Sequence, residues 1–269
     1  MSSSRRKPAN VVLDMLRSAR SRQRTARSLV SAGELFGYTA NTMRVTLSRL
    51  MARGLIESPE RGLYRLTSQT DALNQFVEGW RDGEARVQPW DGETWLMAHI
   101  QGEPARSHWA LDALGFREVR PALFARPANL REPLAELRAL AISLGMDAAV
   151  MLASATPDAS AADWQRFWRP DAIDATYEDA LLRLDRSARA LADMPLDEAR
   201  LECFTLGGEM IQILAKDPLL PGNWIDTSKR QALRTAMRAY DAQGKDIWAA
   251  GKQDSLRHMP RPQLTQEIA

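Results

Sequence analysis

The chain has one cysteine, Cys203, among 269 residues. A lone cysteine excludes an internal disulfide and any zinc site built from several thiolates. Long apolar runs are missing too, and none approaches the roughly 20 residues that cross a bilayer. The start, MSSSRRKPANVVLDMLRSARS, has charge ahead of an apolar patch, but Asp14 and Arg17 interrupt that patch, so it does not read as a signal peptide. These absences point to a soluble, cytoplasmic protein with no membrane partner. The three histidines, His99, His108 and His258, lie in no recognised metal motif. TLGGEM (205–210) has paired glycines but neither a P-loop lysine nor GxGxxG spacing, and reads as a close helix contact. Nothing resembles a catalytic triad, and Cys203 sits among apolar neighbours as a core residue. The expectation is therefore no catalytic residue, no metal and no cofactor: a binding protein, not an enzyme.

The most informative absence is local. FGYTANTMRVTLSRLMARG, Phe36 to Gly54, holds three arginines and no Asp or Glu. Charge is uneven along the whole chain, although the net is only +2. Residues 1–68 carry 13 Lys and Arg against 4 Asp and Glu, and the remainder carries 23 against 30. A basic head on an acidic body is the pattern of a polyanion-binding segment joined to something else.

What is present in the head has an order. Asn10 to Ala19 reads as a helix with Val12, Met15 and Leu16 inward. Leu29, Ala32, Leu35 and Phe36 mark a second helix. After the short, glycine-containing turn GYT, Thr39 stands as N-cap of a third, with Met43, Leu47 and Leu50 on its buried stripe and Gly54 as its stop. LIES, PERG and LYRLT then read as strand, turn and returning strand. Helix, tight turn, helix and hairpin is the order of a winged helix-turn-helix, whose second helix of the pair enters the major groove.

On that helix the face opposite the core carries Asn41, Arg44, Val45, Ser48 and Ala52, flanked by Thr42 and Arg49. A carboxylate there would be repelled by phosphate. Arg44 and Arg49 can pair with phosphate or fork onto guanine, Asn41 can bridge adenine, and Val45 can pack on a thymine methyl. Arg61 at the hairpin tip can reach phosphate or the minor groove, and Arg65 on the returning strand completes the set of DNA-binding candidates.

These residues resemble the N-terminal winged helix of PaaX-like transcriptional regulators, repressors named for control of phenylacetic acid degradation. The matching positions are Gly37, Thr39, Arg44, Val45, Leu47, Arg49, Leu50, Gly54, Gly62, Tyr64 and Leu66. LAKDPLLPGNW, Leu214 to Trp224, resembles a second family segment, shortened here so that Pro221 runs straight into Gly222-Asn223-Trp224. The resemblance implies a homodimer on a double-stranded operator, repressing a catabolic operon and relieved by a small effector, typically an acyl- or aryl-CoA thioester. Trp164, Trp168 and Trp224 are candidates to stack on such an effector, with Arg166, Arg169 or Lys216 meeting its phosphates.

The body divides in two. Residues 91–160 alternate strand, helix, strand, helix, strand: ETWLMAHI, SHWALDALGF, VRPALFARP, REPLAELRALAISLG and AAVMLAS. That order predicts a small ferredoxin-like α+β domain with one further strand unplaced. In the family this domain resembles the Cas2 nuclease fold, which holds a metal on an acidic residue at the end of its first strand. The equivalent strand here ends His99-Ile100-Gln101, without a carboxylate. Residues 161–269 have helical spacing, with a mobile tail from His258. The expected architecture is α+β and mostly helical: a winged helix at 1–70, a connector at 71–90, the ferredoxin-like domain at 91–160, and a helical C-terminal domain at 161–269. A metal-dependent nuclease and a non-specific architectural DNA binder are the competing readings.

Overall fold

The computed structural model describes residues 6–19, 21–102 and 105–257. The chain is mixed α+β, mostly helical, with two small antiparallel sheets and a C-terminal group of helices. The tail from His258 to Ala269, and with it the expected mobility and His258 itself, lies outside the described residues.

The first part runs α1 (Pro8–Arg17), β1 (Gln23–Thr25), α2 (Ala26–Leu35), α3 (Ala40–Ala52), β2 (Ile56–Glu60) and β3 (Leu63–Leu66). Val11, Val12, Met15 and Leu16 of α1 bury against Leu29 and Ala32 of α2 and Met43, Leu47 and Leu50 of α3. The strands pair in the order β1-β3-β2. The sequence reading had only the β2–β3 hairpin. β1 is three residues long and has no alternating pattern of its own, since pairing with β3 defines it. The hairpin turn is also tighter than PERG. Pro59 and Glu60 belong to β2, and the turn is Arg61-Gly62, with Gly62 at φ 79°. A register shift between Glu57 and Glu60 absorbs Pro59, which has no N–H to give the ladder.

A connector follows: a 3-10 turn, α4 (Asp71–Glu78) and a 3-10 segment from Gly79 to Arg86. Next come β4 (Trp95–His99), α5 (Ala105–Ala113), β5 (Arg117–Arg120), β6 (Leu123–Pro127), α6 (Leu134–Ser143) and β7 (Met151–Ala155). Their sheet has the order β5-β6-β4-β7, every neighbouring pair antiparallel. The strand left unplaced from sequence is β5. VRPALFARP is not one strand, because Arg120-Pro121-Ala122 breaks it into a hairpin. Ala122 takes a left-handed φ of 63°, and its N–H donates to Glu118 Oε1 at 2.9 Å. Leu96, Ala98 and Phe124 face α5 and α6, whereas Trp95, Met97 and Ala125 face the C-terminal helices.

Those helices are α7 (Pro170–Ala190), α8 (Leu196–Ala215) and α9 (Thr227–Arg257), packed on one another. None of the described helices is long and apolar enough to cross a membrane.

The segment 217–220, between α8 and α9, is held by buried arginines. Asp217 is fully buried at its side chain, accepts from Arg234 Nη2 at 3.1 Å, and accepts the Leu219 N–H at 2.8 Å. Arg230 Nη1 donates to Leu220 O at 2.9 Å, and its Nε and Nη2 grip both oxygens of Glu84. Arg234 Nη1 reaches Trp80 O at 2.7 Å. From β6, Arg126 donates to Leu114 O, Asn129 Oδ1 and Pro218 O, and Asn129 Nδ2 donates to Leu219 O at 2.6 Å. Burial pulls the Arg126 guanidinium down to about 9, with the nearby Arg86 charge the second cause. Removing one partner of a buried charge pair leaves the other uncompensated, at a cost of about 3–5 kcal/mol. Asp217→Ala is accordingly expected to lose about that much stability in urea unfolding; a loss near zero would mean the segment is held by packing alone.

Candidate nucleic-acid interface

Thr39 caps α3 from extended backbone, its Oγ1 accepting from Thr42 N at 3.1 Å. Gly37 and Gly54 bracket the helix at φ 72° and 67°, a region an L side chain enters only under strain. The α2–α3 crossing is close. Gly33 on α2 faces Met43, which has no exposure, and a Cβ at Gly33 would overlap the Met43 side chain. This contact turns the Met43–Leu47–Leu50 stripe inward and leaves the other face of α3 outward.

That outer face carries Asn41, Arg44, Val45, Ser48 and Arg49, all exposed, with Thr42 half-buried at its edge. Val45 is 41% exposed, an apolar residue held in water. Ser48 Oγ donates to Arg44 O at 3.2 Å, so its hydroxyl folds back and the surface there is low. Among the described residues, Arg44 and Arg49 have no side-chain hydrogen bond or ion pair, and neither has Arg61 at the hairpin tip. Two more exposed, unpaired arginines went unassigned in the sequence reading: Arg27 in the first turn of α2 and Arg53 just past α3. Met51 on α3, also 41% exposed, was missed as well. The signal for the arginines was the excess of charge in residues 1–68; periodicity carried none. The four carboxylates of that part lie off α3: Asp14 on α1, Glu34 on α2, and Glu57 and Glu60 on β2.

Arg65 departs from the expectation. Its Nε donates to Glu57 Oε1 at 2.6 Å across the β2–β3 ladder. Both residues line an open cleft of about 440 Å³ between the sheet and α4, together with Arg17, Arg22, Asn74 and Glu78. Arg65 therefore belongs to the side facing the connector, and its charge is matched there.

The tryptophans among the effector candidates pack with two others. Trp90, Trp95, Trp164, Trp168 and Trp224 meet with ring centroids 5.1–5.9 Å apart, three pairs edge to face and three tilted. Trp164 and Trp168 are buried, and Trp168 Nε1 donates to Gly115 O at 2.8 Å. These rings fill the space between themselves, as a core does. Arg166, Arg169 and Lys216 are exposed, and Arg166 pairs with Asp163. Trp80 joins the same core, and Trp109 is 42% exposed on α5. His99 ends β4, and His108 lies within α5 against Phe124. Among the described residues no three of His, Cys, Asp and Glu converge to hold a metal. Within TLGGEM, Gly207 lies against Met237 and Tyr240 of α9, while Gly208 lies under the Arg6 guanidinium.

No protein-family model matches the chain, and no curated protein matches it. A solved structure does. The uncharacterized protein Rv0674 from Mycobacterium tuberculosis is 23% identical, with a TM-score of 0.59, covering 91% of this chain and 99% of that one. At that identity the likeness shows a shared fold and nothing of function.

Two outcomes follow from this geometry. Gly33→Ala is expected to cost about 1–3 kcal/mol, the penalty of overpacking, and to cost less beside Met43→Ala in a double-mutant cycle. Burial pushes the Cys203 thiol up to about 11, so at pH 8 iodoacetamide should label it only after denaturation; fast labelling of the folded chain would contradict the packing of α8 on α9.

Proposed function

We propose that this chain is a sequence-specific DNA-binding transcriptional regulator of PaaX-like type, a repressor that acts as a homodimer. On this reading α1–α3 with β1–β3 form a winged helix. The sheet β5-β6-β4-β7 with α5 and α6 forms a ferredoxin-like, Cas2-like domain, and α7–α9 form the C-terminal domain. The observation that carries the reading is the outer face of α3. It presents Asn41, Arg44, Val45, Ser48 and Arg49 to solvent with unpaired guanidiniums and no carboxylate.

The physics of that face favours a duplex. Water alone imposes no rule against Asp or Glu on a surface helix, whereas phosphate does. Exposed Val45 and Met51 are an unfavourable choice for a wet surface and a suitable one against thymine methyls. On this reading the exposed, unpaired Arg27, Arg53 and Arg61 of the same part meet backbone phosphates and fix the register of α3. A two-fold pair of such heads would read half-sites about one helical turn apart, or multiples of it.

The effector half of the reading has narrower support. It rests on the family resemblance, since Trp164 and Trp168 pack against Trp95 and not around a space. An acyl- or aryl-CoA thioester remains the chemistry to try first.

Selection of bound fragments from sheared genomic DNA, followed by footprinting, tests the proposal. The expected result is a discrete protected palindrome; uniform retention of all fragments would favour an architectural binder. At the selected site, Arg44→Ala is expected to cost about 1–3 kcal/mol if Arg44 reads a base, with specificity relaxed at one position. Arg65→Ala, whose charge Glu57 already matches, should leave affinity nearly unchanged. A loss from Arg65→Ala equal to that from Arg44→Ala would shift the interface to the wrong side of the sheet.

A further inference from the structure

The basic head touches the body at α4, α8 and α9, and the polar contacts to α4 and α8 meet at one carboxylate. Asp14 lies on α1, its side chain 29% exposed. Its Oδ2 accepts from Arg6 Nη1 at 3.1 Å, and its Oδ1 accepts from Arg17 Nη1 at 2.7 Å. Each guanidinium then reaches a different body helix. Arg6 Nη2 donates to Thr205 O of α8 at 3.1 Å, with its guanidinium over the Phe204 ring. Arg17 Nε donates to Asn74 Oδ1 of α4 at 2.9 Å, and buried Asn74 is fixed in turn by Nδ2 donating to Thr70 Oγ1 at 3.0 Å.

The seat for Arg6 is built into α8. A Cβ at Gly208 would lie 2.6 Å from Arg6 Nη2, so a methyl here would displace the guanidinium from this position. Beside it, Phe36 at the end of α2 meets Phe204 edge to face, with centroids 5.2 Å apart, and Phe204 also lies against Trp248 of α9. The Tyr38 hydroxyl, one residue before the α3 N-cap, donates to Arg6 O. The turn that aims α3 is therefore tied to the same arginine that is tied to α8. α1 shares one core with α3 through Val12, Met15, Met43 and Leu47, so the angle of α1 is the angle of α3.

We propose that Asp14 is the joint that sets the angle of the DNA-reading head against the body, by holding the α8 anchor Arg6 and the α4 anchor Arg17 on one carboxylate. A displacement of α8 relative to α4 cannot satisfy both arginines at once, so it must turn the head or release it. This gives a ligand or partner of the body a route to α3 that needs no contact with DNA, with a coupling equal to its differential affinity for the seated and released heads. The regulatory consequence rests on the DNA-binding reading; the joint itself does not.

The test reads head orientation in the full chain, without DNA. Nitroxides are placed at Ser31→Cys on α2 and Ala239→Cys on α9, in a Cys203→Ala background, with labelled chains diluted into unlabelled ones. Pulsed electron–electron distances should show one narrow population for this parent. Asp14→Asn keeps the shape and removes the charge, and it should broaden that population or add a second. Gly208→Ala is the second variant. It favours the helix intrinsically yet puts a methyl where Arg6 sits, so it should give the same broadening with α8 intact by circular dichroism. A single unchanged distance in both variants would overturn the joint. Loss of DNA binding by Arg44→Ala is a separate readout, so failure of the joint and failure of the DNA-binding reading are told apart.

Discussion

The buried guanidiniums around residues 217–220 are the constraint from which the rest of the body follows. Arg126, Arg230 and Arg234 come from β6 and α9, and they close on Pro218 O, Leu220 O and Asp217. Glu84 and Trp80 O bring the connector to the same arginines. Burying three such charges is costly unless their donors find acceptors, and only Arg234 Nε, 3.8 Å from Glu84 Oε1, lacks a hydrogen bond among the three guanidiniums. Here the acceptors are drawn from the connector, from the second sheet and from the α8–α9 segment, so those three parts are held in one arrangement. The tryptophan core then closes over the join, with Trp95 from β4 between Trp164, Trp168 and Trp224.

Against that fixed body the head is attached more lightly. Its own core is made by α1, α2 and α3, with Phe204 and Trp248 of the body packed against it, and it meets the body further through Arg6, Arg17, Phe36 and the exposed Arg22–Glu78 pair at 3.5 Å. The attachment uses the α1 and α2 sides of the head. The outer face of α3 is left uncovered, with Arg44 and Arg49 exposed on it and Arg53 just past its end. An exposed α3 face without carboxylates is the part the proposed DNA-binding function requires.

What could be read from the sequence was what is decided locally. Thr39, the Met43–Leu47–Leu50 stripe and Gly54 define α3 within sixteen residues, and no tertiary contact was needed to find it. The alternation of strands and helices from Trp95 to Ala155 was legible for the same reason. What escaped depends on distant partners. β1 exists only because β3 pairs with it. Arg65 looked like a phosphate ligand until the register placed Glu57 opposite it. Glu84 and Arg230 are 146 residues apart, and nothing in either neighbourhood announces the other. Eight tryptophans were visible, but whether their rings enclosed a space or filled one was a question of packing, and they fill it.

The most direct measurement is a cross-link from α3 itself. A photoreactive benzophenone side chain replaces Ser48 in one preparation and Leu182, 65% exposed on α7, in another, and each is irradiated with duplex DNA from the protein's own genome. The account predicts adducts from position 48, suppressed by unlabelled duplex and by high salt, and none from position 182. Adducts from position 182 alone, or from both equally, would contradict it.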